Sequence, residues 1–248
     1  MQPIMLITGA SRGIGAATAK LAARAGYRVV INFNRQGQAA EQVRKEIQQE
    51  GGEAICIGAD IADGAQVKRL FEEVHTRWGP IAALVNNAGI LETQSSFAEM
   101  SMDRWQRIFQ TNVFGCMLCC QYAIGQMSTD KGGVGGSIVN VSSLASVIGA
   151  PNEYVDYAAS KGAIDTFTKG LSKEVAAQGI RVNGVRPGFI YTDMHADGGE
   201  AGRVDRLAPL IPMLRGGTAE EVAEAILWLS SDKASYSSGT FIDVAGGR

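Results

Sequence analysis

The chain has 248 residues, 46% of them hydrophobic and 19% charged, with a formal net charge of −2. That length can bury a full core without disulfides or metals, and the composition excludes a disordered or low-complexity polymer. The charge argues against nucleic acid as a main partner, and no apolar run approaches the roughly 18 residues that a membrane helix needs.

In chain order, the opening Met1–Ile7 lacks the basic n-region of a signal peptide, so a cytoplasmic protein is expected. Apolar, β-branched runs predict strands at Ile4–Thr8, Arg28–Phe33, Glu53–Gly58, Ile81–Asn86, Ser137–Ser142, Ile180–Arg186 and Thr240–Val244. Helical periodicity fills the spaces: Ile14–Ala25, Gln38–Glu50, Ala65–Arg77, two stretches within Ser101–Ser128, Val155–Ala177 and Ala219–Ser230. The strand runs are apolar along their length, as in Ile138-Val139-Asn140-Val141. Strands covered on both faces read this way. The alternation predicts an α/β fold, a single Rossmann-type domain over residues 1–248. Its core is a doubly wound parallel sheet of about seven strands with helices on both faces. Only Tyr191–Gly217, rich in glycine and proline, breaks the rhythm, and a segment of that kind is expected to be a substrate lid.

The first strand runs into Thr8-Gly9-Ala10-Ser11-Arg12-Gly13-Ile14-Gly15, followed at once by a helix. Glycines allow a tight turn and close approach of a ligand to the backbone. The free N–H groups of the helix start suit a pyrophosphate. Gly9-Ala10-Ser11-Arg12-Gly13 also fits G-x-S-x-G, the hydrolase nucleophile elbow. A serine nucleophile needs a base, however, and only His75 and His195 exist. His75 lies at the polar end of a helix and His195 in the expected lid, so a hydrolase is the weaker reading. At the end of the second strand, NAD-preferring sites place an acid for the ribose 2′-hydroxyl. Here the chain reads Asn32-Phe33-Asn34-Arg35, with a base instead. Arg35, with Arg12 from the glycine loop, favours NADP(H) over NAD(H), because both can pair with a 2′-phosphate.

Thr8-Gly-x-x-x-Gly-x-Gly15, Asn86-Asn87-Ala88-Gly89, Ser143, Tyr157-x-x-x-Lys161 and Pro187-Gly188 follow in this order. In this order and on this alternation, the chain resembles the classical short-chain dehydrogenase/reductases over its whole length. Within that family it is similar to glucose dehydrogenase-like and 3-oxoacyl-carrier-protein reductase-like members. The resemblance implies hydride exchange between a nicotinamide and a small carbonyl or alcohol substrate. It implies catalytic roles for Asn112, Ser143, Tyr157 and Lys161. Lys161 would also bind the nicotinamide ribose and Asn112 would hold a water. Asp60 and Ile61 would flank the adenine, with Asn86, Ala88 and Gly89 beside the adenosine ribose. Pro187, Gly188, Ile190 and Thr192 would hold the carboxamide. Relatives pair through helices within Ser101–Ser128 and Val155–Ala177, so a homo-oligomer is implied, a tetramer ahead of a dimer.

The chemistry also follows from the residues. Tyr157 and Lys161 stand at i and i+4 on one helical face. An ammonium there favours the phenolate, so Tyr157 is expected to work as a general acid/base. Fourteen positions separate Ser143 from Tyr157, one more than in many relatives, which leaves Ser142 and Ser146 as alternative hydroxyls. Cys116, Cys119 and Cys120 lie on an apolar helix and are expected in the core, with no metal site. Trp78, Trp105 and Trp228 are expected in the core or an interface. The substrate pocket is expected between the Ser143–Tyr157 loop, Leu91–Ser96 and the lid. A non-catalytic dinucleotide sensor on the same fold is the alternative function, and it would have no need of the serine, tyrosine and lysine.

Overall fold

The computed structural model describes residues 2–248. Along the first half run β1 Ile4–Ile7, α1 Gly13–Arg24, β2 Arg28–Phe33, α2 Gly37–Gln49, β3 Glu53–Gly58, α3 Gly64–Trp78 and β4 Ala83–Asn86. After them come α4 Met102–Phe109, α5 Cys116–Met127, β5 Gly136–Val141, α6 Ala145–Ile148, α7 Val155–Glu174 and β6 Ile180–Pro187. The chain ends with α8 Met194–Asp197, α9 Arg203–Leu207, α10 Ala219–Ser230 and β7 Phe241–Val244. The strand bounds agree with the sequence reading to within a residue or two. All seven strands are parallel in one sheet, ordered β3-β2-β1-β4-β5-β6-β7.

Successive strand residues point to opposite faces, and helices cover both. Leu6, Val30, Leu84, Ile138 and Val182 pack against Leu70, Phe71, Cys119, Ala123 and Ile164 of α3, α5 and α7. Met5, Ile7, Val29, Ile31 and Val139 pack on the other face against Ala19, Val43, Ile226 and Leu229 of α1, α2 and α10. Each such aliphatic side chain contributes about 1.5–3 kcal/mol of burial free energy. The three cysteines of α5 are buried and free within the first layer, as expected. Trp228 on α10 is exposed, outside the core.

The sheet order reverses beside β1, which has β2 on one side and β4 on the other. Loops leaving these two edges diverge to opposite faces, so a crevice opens at the C-terminal strand ends. Two local features were not foreseen. The predicted pair of helices within Ser101–Ser128 is one continuous helical course, with a π-helical stretch, Gln110–Gly115, joining α4 to α5. Widened turns of this kind often carry functional residues, and Asn112 lies in it. The loop before α7 holds two left-handed non-glycine residues, Ala150 at φ 44° and Asn152 at φ 62°, within the Ser143–Tyr157 spacing.

Candidate active site

The glycine loop is shaped by backbone contact. Gly9 sits at φ +62°, and a Cβ on it would lie 2.9 Å from the Ala88 Cα, so only glycine lets the turns after β1 and β4 touch. Gly13, at φ +54°, opens α1 without a side-chain cap or an acid in the first turn. The helix therefore presents unpaired N–H groups and the positive end of its dipole to the crevice. Thr8 and Asn87 tie the two turns together. The Thr8 hydroxyl accepts from the backbone N–H of Asn87 and Ala88 at 3.1 and 3.0 Å. The Asn87 amide donates to the carbonyls of Thr8 and Gly9 at 2.9 and 3.0 Å.

The crevice is a cleft of about 980 Å³. Its walls bring together Gly9, Ser11, Arg12, Gly13 and Ile14 from the loop, Asn34 and Arg35 after β2, Asp60 and Ile61 after β3, and Ala88 and Gly89 after β4. Thr192 closes one end. Arg35 is exposed on the rim and has no ion-pair partner among the described residues. Arg12 is engaged: its guanidinium hydrogen-bonds Asp197 of α8 and lies 3.6 Å from the Asp193 carboxylate. Three expected residues stand behind the wall. Gly15 is buried in α1, packed against Asn87 and the Gly9 carbonyl. Asn86 is buried under the cleft, donating to Asn140 at 2.9 Å. Asn112 is 2% exposed and gripped by Ile90, whose N–H donates to it at 2.8 Å and whose carbonyl accepts from it at 2.9 Å. Its amide also donates to Ser160, at 3.1 Å.

A second cavity, of about 310 Å³, opens from the cleft past Ile14, Asn87, Gly89 and Thr192. Ser143, Tyr157, Lys161, Pro187, Gly188 and Ile190 meet on its wall. The alternative serines are committed elsewhere. Ser142 donates to the Lys161 carbonyl at 3.3 Å, and Ser146 donates to the Ser143 carbonyl at 2.7 Å and to Asp165 at 2.6 Å. The Ser143 hydroxyl accepts from the Ala145 N–H at 3.1 Å and gives its proton to no backbone carbonyl, which leaves it for the Tyr157 side of the cavity.

Electrostatics set the state of Tyr157 among the protein's own groups. Burial pushes the Tyr157 phenol up to about 12, with the Ser143 hydroxyl and the charge of Arg203 drawing it only partly back. Lys161 does not offset this. Burial pulls its ammonium down to about 8 against Cys116 and Asp165. The amine donates to the Val141 carbonyl at 2.8 Å and stands 5.6 Å from the centre of the Tyr157 ring. Among the protein's own groups, desolvation outweighs the ammonium, and Tyr157 is a neutral phenol.

The expected lid segment lies over this cavity. Its ends are pinched by a single parallel bridge between Ile190 and Gly217, and α8 and α9 lie between them. Tyr154 donates to the Gly198 carbonyl at 3.1 Å, and Gln94 to Glu200 at 2.7 Å. The sequence reading singled out neither Asn87, central in Asn86-Asn87-Ala88-Gly89, nor Glu153, Arg203 and Arg248 on the cavity wall. Arg203 and Arg248 carried no local signal, because only folding brings them to Tyr157. His195, expected in the lid, is buried there and is one of the residues around the same cavity.

A glycine-lined cleft with an open helix N-terminus, leading to a serine, tyrosine and lysine on one cavity wall, defines a dinucleotide-dependent oxidoreductase. Comparisons agree. A family model described as "Enoyl-(Acyl carrier protein) reductase" matches residues 9–248. An uncharacterized oxidoreductase, YgfF, of Escherichia coli is 60% identical over 245 residues, 99% of both chains. A 3-oxoacyl-[acyl-carrier-protein] reductase of Synechocystis is 38% identical, over 98% of this chain and 96% of its own. The crystal structure of acetoin dehydrogenase YohF from Salmonella typhimurium superposes with a TM-score of 0.88 at 33% identity, covering 100% of this chain and 97% of that one. A short-chain type dehydrogenase/reductase from Mycobacterium marinum gives 0.92 at 35% identity, over 99% and 94%. The chain belongs to the short-chain dehydrogenase/reductase family and is a FabG-like member of it. Its cofactor is a nicotinamide dinucleotide. Among the described residues, no helix is long and apolar enough to cross a membrane.

Proposed function

We propose that the protein is a cytoplasmic, NADP(H)-dependent carbonyl reductase or alcohol dehydrogenase acting on a small molecule, with Tyr157 as general acid/base. The observation that carries this reading is the meeting of Ser143, Tyr157 and Lys161 on one cavity wall that adjoins the cleft. In reduction, Ser143 donates a hydrogen bond to the substrate oxygen and orients it. Tyr157 supplies the proton, and the raised phenol keeps that proton in place at neutral pH. A dinucleotide held in the cleft would supply the hydride in reduction, and its oxidised form would accept one and add a positive charge that favours the phenolate. Lys161 would hold the nicotinamide ribose, and Asn112, through its two bonds to Ile90, fixes the strand-end backbone beside Gly89. Asp60 and Ile61 would flank the adenine, Gly188 and Pro187 would wall the nicotinamide end, and Ile190 with Thr192 would hold the carboxamide. Arg35 and Arg12 support NADP(H) over NAD(H). The 191–217 segment acts as the lid. Exposed Met102 and Phe114 on the α4–α5 course support a homo-oligomer, with the tetramer as its expected form.

The test is Tyr157→Phe. NADPH-dependent turnover is expected to fall below one thousandth, the range lost when a general acid is removed from a positioned site, while NADPH still binds. Retained turnover would remove Tyr157 from its role.

A further inference from the structure

We infer that Arg104 is a positioning residue for the reaction, holding the turn that carries Tyr157 and the Leu91 side of the cavity as one unit. The inference rests on the function proposed above and adds a residue that lines neither the cleft nor the cavity. Tyr157 is the third residue of α7, where a backbone N–H has no partner within the helix. Tyr154, just before the helix, supplies no side-chain cap. The Asp156 carboxylate takes that role: its Oδ1 accepts from the Tyr157 N–H at 2.9 Å. Arg104 on α4 in turn grips Asp156, with Nε on Oδ2 at 2.6 Å and one terminal nitrogen on Oδ1 at 3.2 Å. Its other terminal nitrogen donates to the Thr93 carbonyl at 2.6 Å. Thr93 follows closely on Leu91, which lines the cavity and packs against the cluster of Ala150, Tyr154, Tyr157 and Ala158.

A parallel tie runs through Asn112, further along the same helical course. Asn112 grips Ile90 and donates to Ser160, whose hydroxyl donates to the Tyr157 carbonyl at 2.7 Å. The backbone of Tyr157 is thus held from both sides, its N–H through Asp156 and Arg104, its carbonyl through Ser160 and Asn112. Both ties end on the same stretch after β4, Ile90–Thr93. Stability does not account for the Arg104 tie. The side chains of Arg104 and Asp156 are 8% and 2% exposed, and replacing a buried ion pair by well-packed apolar residues is often neutral or stabilising, because desolvation offsets the attraction. What the pair has and an apolar contact lacks is direction. A planar guanidinium fixes a carboxylate with two bonds and sets the angle of a third, here to a carbonyl. General acid catalysis requires such direction: the phenol must meet the substrate oxygen at about 2.6–3.2 Å. A misplacement of about 1 Å costs on the order of 100-fold.

The test cuts the tie without leaving a buried charge. In the double variant Arg104→Met with Asp156→Asn, the amide oxygen at position 156 still accepts from the Tyr157 N–H. The helix therefore keeps its cap, and only the link to α4 and Thr93 is lost. Turnover is measured with NADPH and ethyl acetoacetate, menadione, glyceraldehyde or an N-acetylcysteamine acetoacetyl thioester. Rates are counted per NADPH-binding site, so that unfolded protein does not register. With the probe that the parent turns over best, the double variant is expected to lose about 10- to 100-fold in kcat. KM is expected to move less than kcat, and NADPH affinity to stay as it was. Arg104→Lys, which keeps the charge without the fork, is expected to retain more of kcat than Arg104→Gln. Hydrogen exchange reads the tie without a substrate: amides of 90–96 and 155–161 are expected to exchange roughly tenfold faster in the double variant, both together. An unchanged kcat per site, a lysine variant no better than the glutamine one, or unchanged exchange in either segment overturns the inference and leaves the proposed function standing. A parent that turns over none of the probes defeats that function, and the positioning role with it.

Discussion

Replacing Arg35 by alanine separates the two cofactors. Arg35 stands on the cleft rim beside Asn34 with its charge uncompensated, whereas Arg12 is held by Asp193 and Asp197. A hydrogen bond to a charged group is worth about 1.5–3 kcal/mol. Losing one to a 2′-phosphate therefore raises the NADPH dissociation constant by roughly 10- to 150-fold, with NADH unmoved. Arg12 must first leave its carboxylates. That pair is exposed, with side-chain exposures of 38% for Arg12 and 50% for Asp197, so breaking it costs at most about 1 kcal/mol. Arg12→Ala is accordingly expected to weaken NADPH less than Arg35→Ala does. Asp197→Asn, which frees Arg12, is expected to tighten NADPH by up to about fivefold. Fluorescence titration of NADPH and NADH at one fixed ionic strength measures all four proteins, since salt screens these contacts. Equal affinities for the two cofactors in the parent, or equal losses of both in Arg35→Ala, would refute the assignment.

Three further outcomes are expected. Arg104→Leu strips the buried Asp156 carboxylate, one residue before Tyr157, of bonds at 2.6 and 3.2 Å; leaving such a charge unpaired costs about 3–5 kcal/mol, a drop in Tm of roughly 6–20 °C for a chain of this size. A calorimetric shift under 2 °C, on the order of a single kcal/mol, would show the pair to be dispensable. Tyr157, raised to about 12, stabilises the fold fully below the phenol's ordinary value of 10, and that contribution is lost as pH climbs from 10 to 12. Urea unfolding should then show a steeper alkaline loss in the parent than in Tyr157→Phe, by about 1–3 kcal/mol; parallel curves would contradict the burial argument. Ser143→Ala is expected to lower kcat by about 10²–10³-fold, as for loss of an oxyanion donor, and Ser142→Ala to change mainly stability; the reverse order would move the substrate contact to Ser142.

Legibility followed the range of the physics. Strands were readable because a sheet covered on both faces favours apolar residues at successive positions, as in Ile4–Ile7. The Tyr157–Lys161 pair was readable because helical spacing alone puts both on one face. Gly9 and Gly13 announced themselves through left-handed turns that only local geometry dictates. Long-range effects were not readable. Nothing near Arg12 foretells Asp197, which arrives 185 positions later. Nothing near Tyr157 states that desolvation would outweigh an ammonium four residues away. Asn86 and Asn87 are adjacent and alike, yet the pleat sends one into the sheet and the other to the cleft. The continuity of α4 with α5 was hidden because a π-helical turn leaves the 3.6-residue period locally out of phase.

These two ranges divide the site. The parts fixed by strand ends, the glycine turns, Ser143 after β5 and Tyr157 with Lys161 on α7, are held by a sheet buried on both faces. They define the reaction class. His195 and Arg203, on the wall of the second cavity, belong to a segment anchored by one β-bridge and a few side-chain bonds. Such a segment can change its polar groups without disturbing the core, since its contacts are few and its backbone lies outside the sheet. Relatives with this fold can therefore share the chemistry of Tyr157 and differ in substrate.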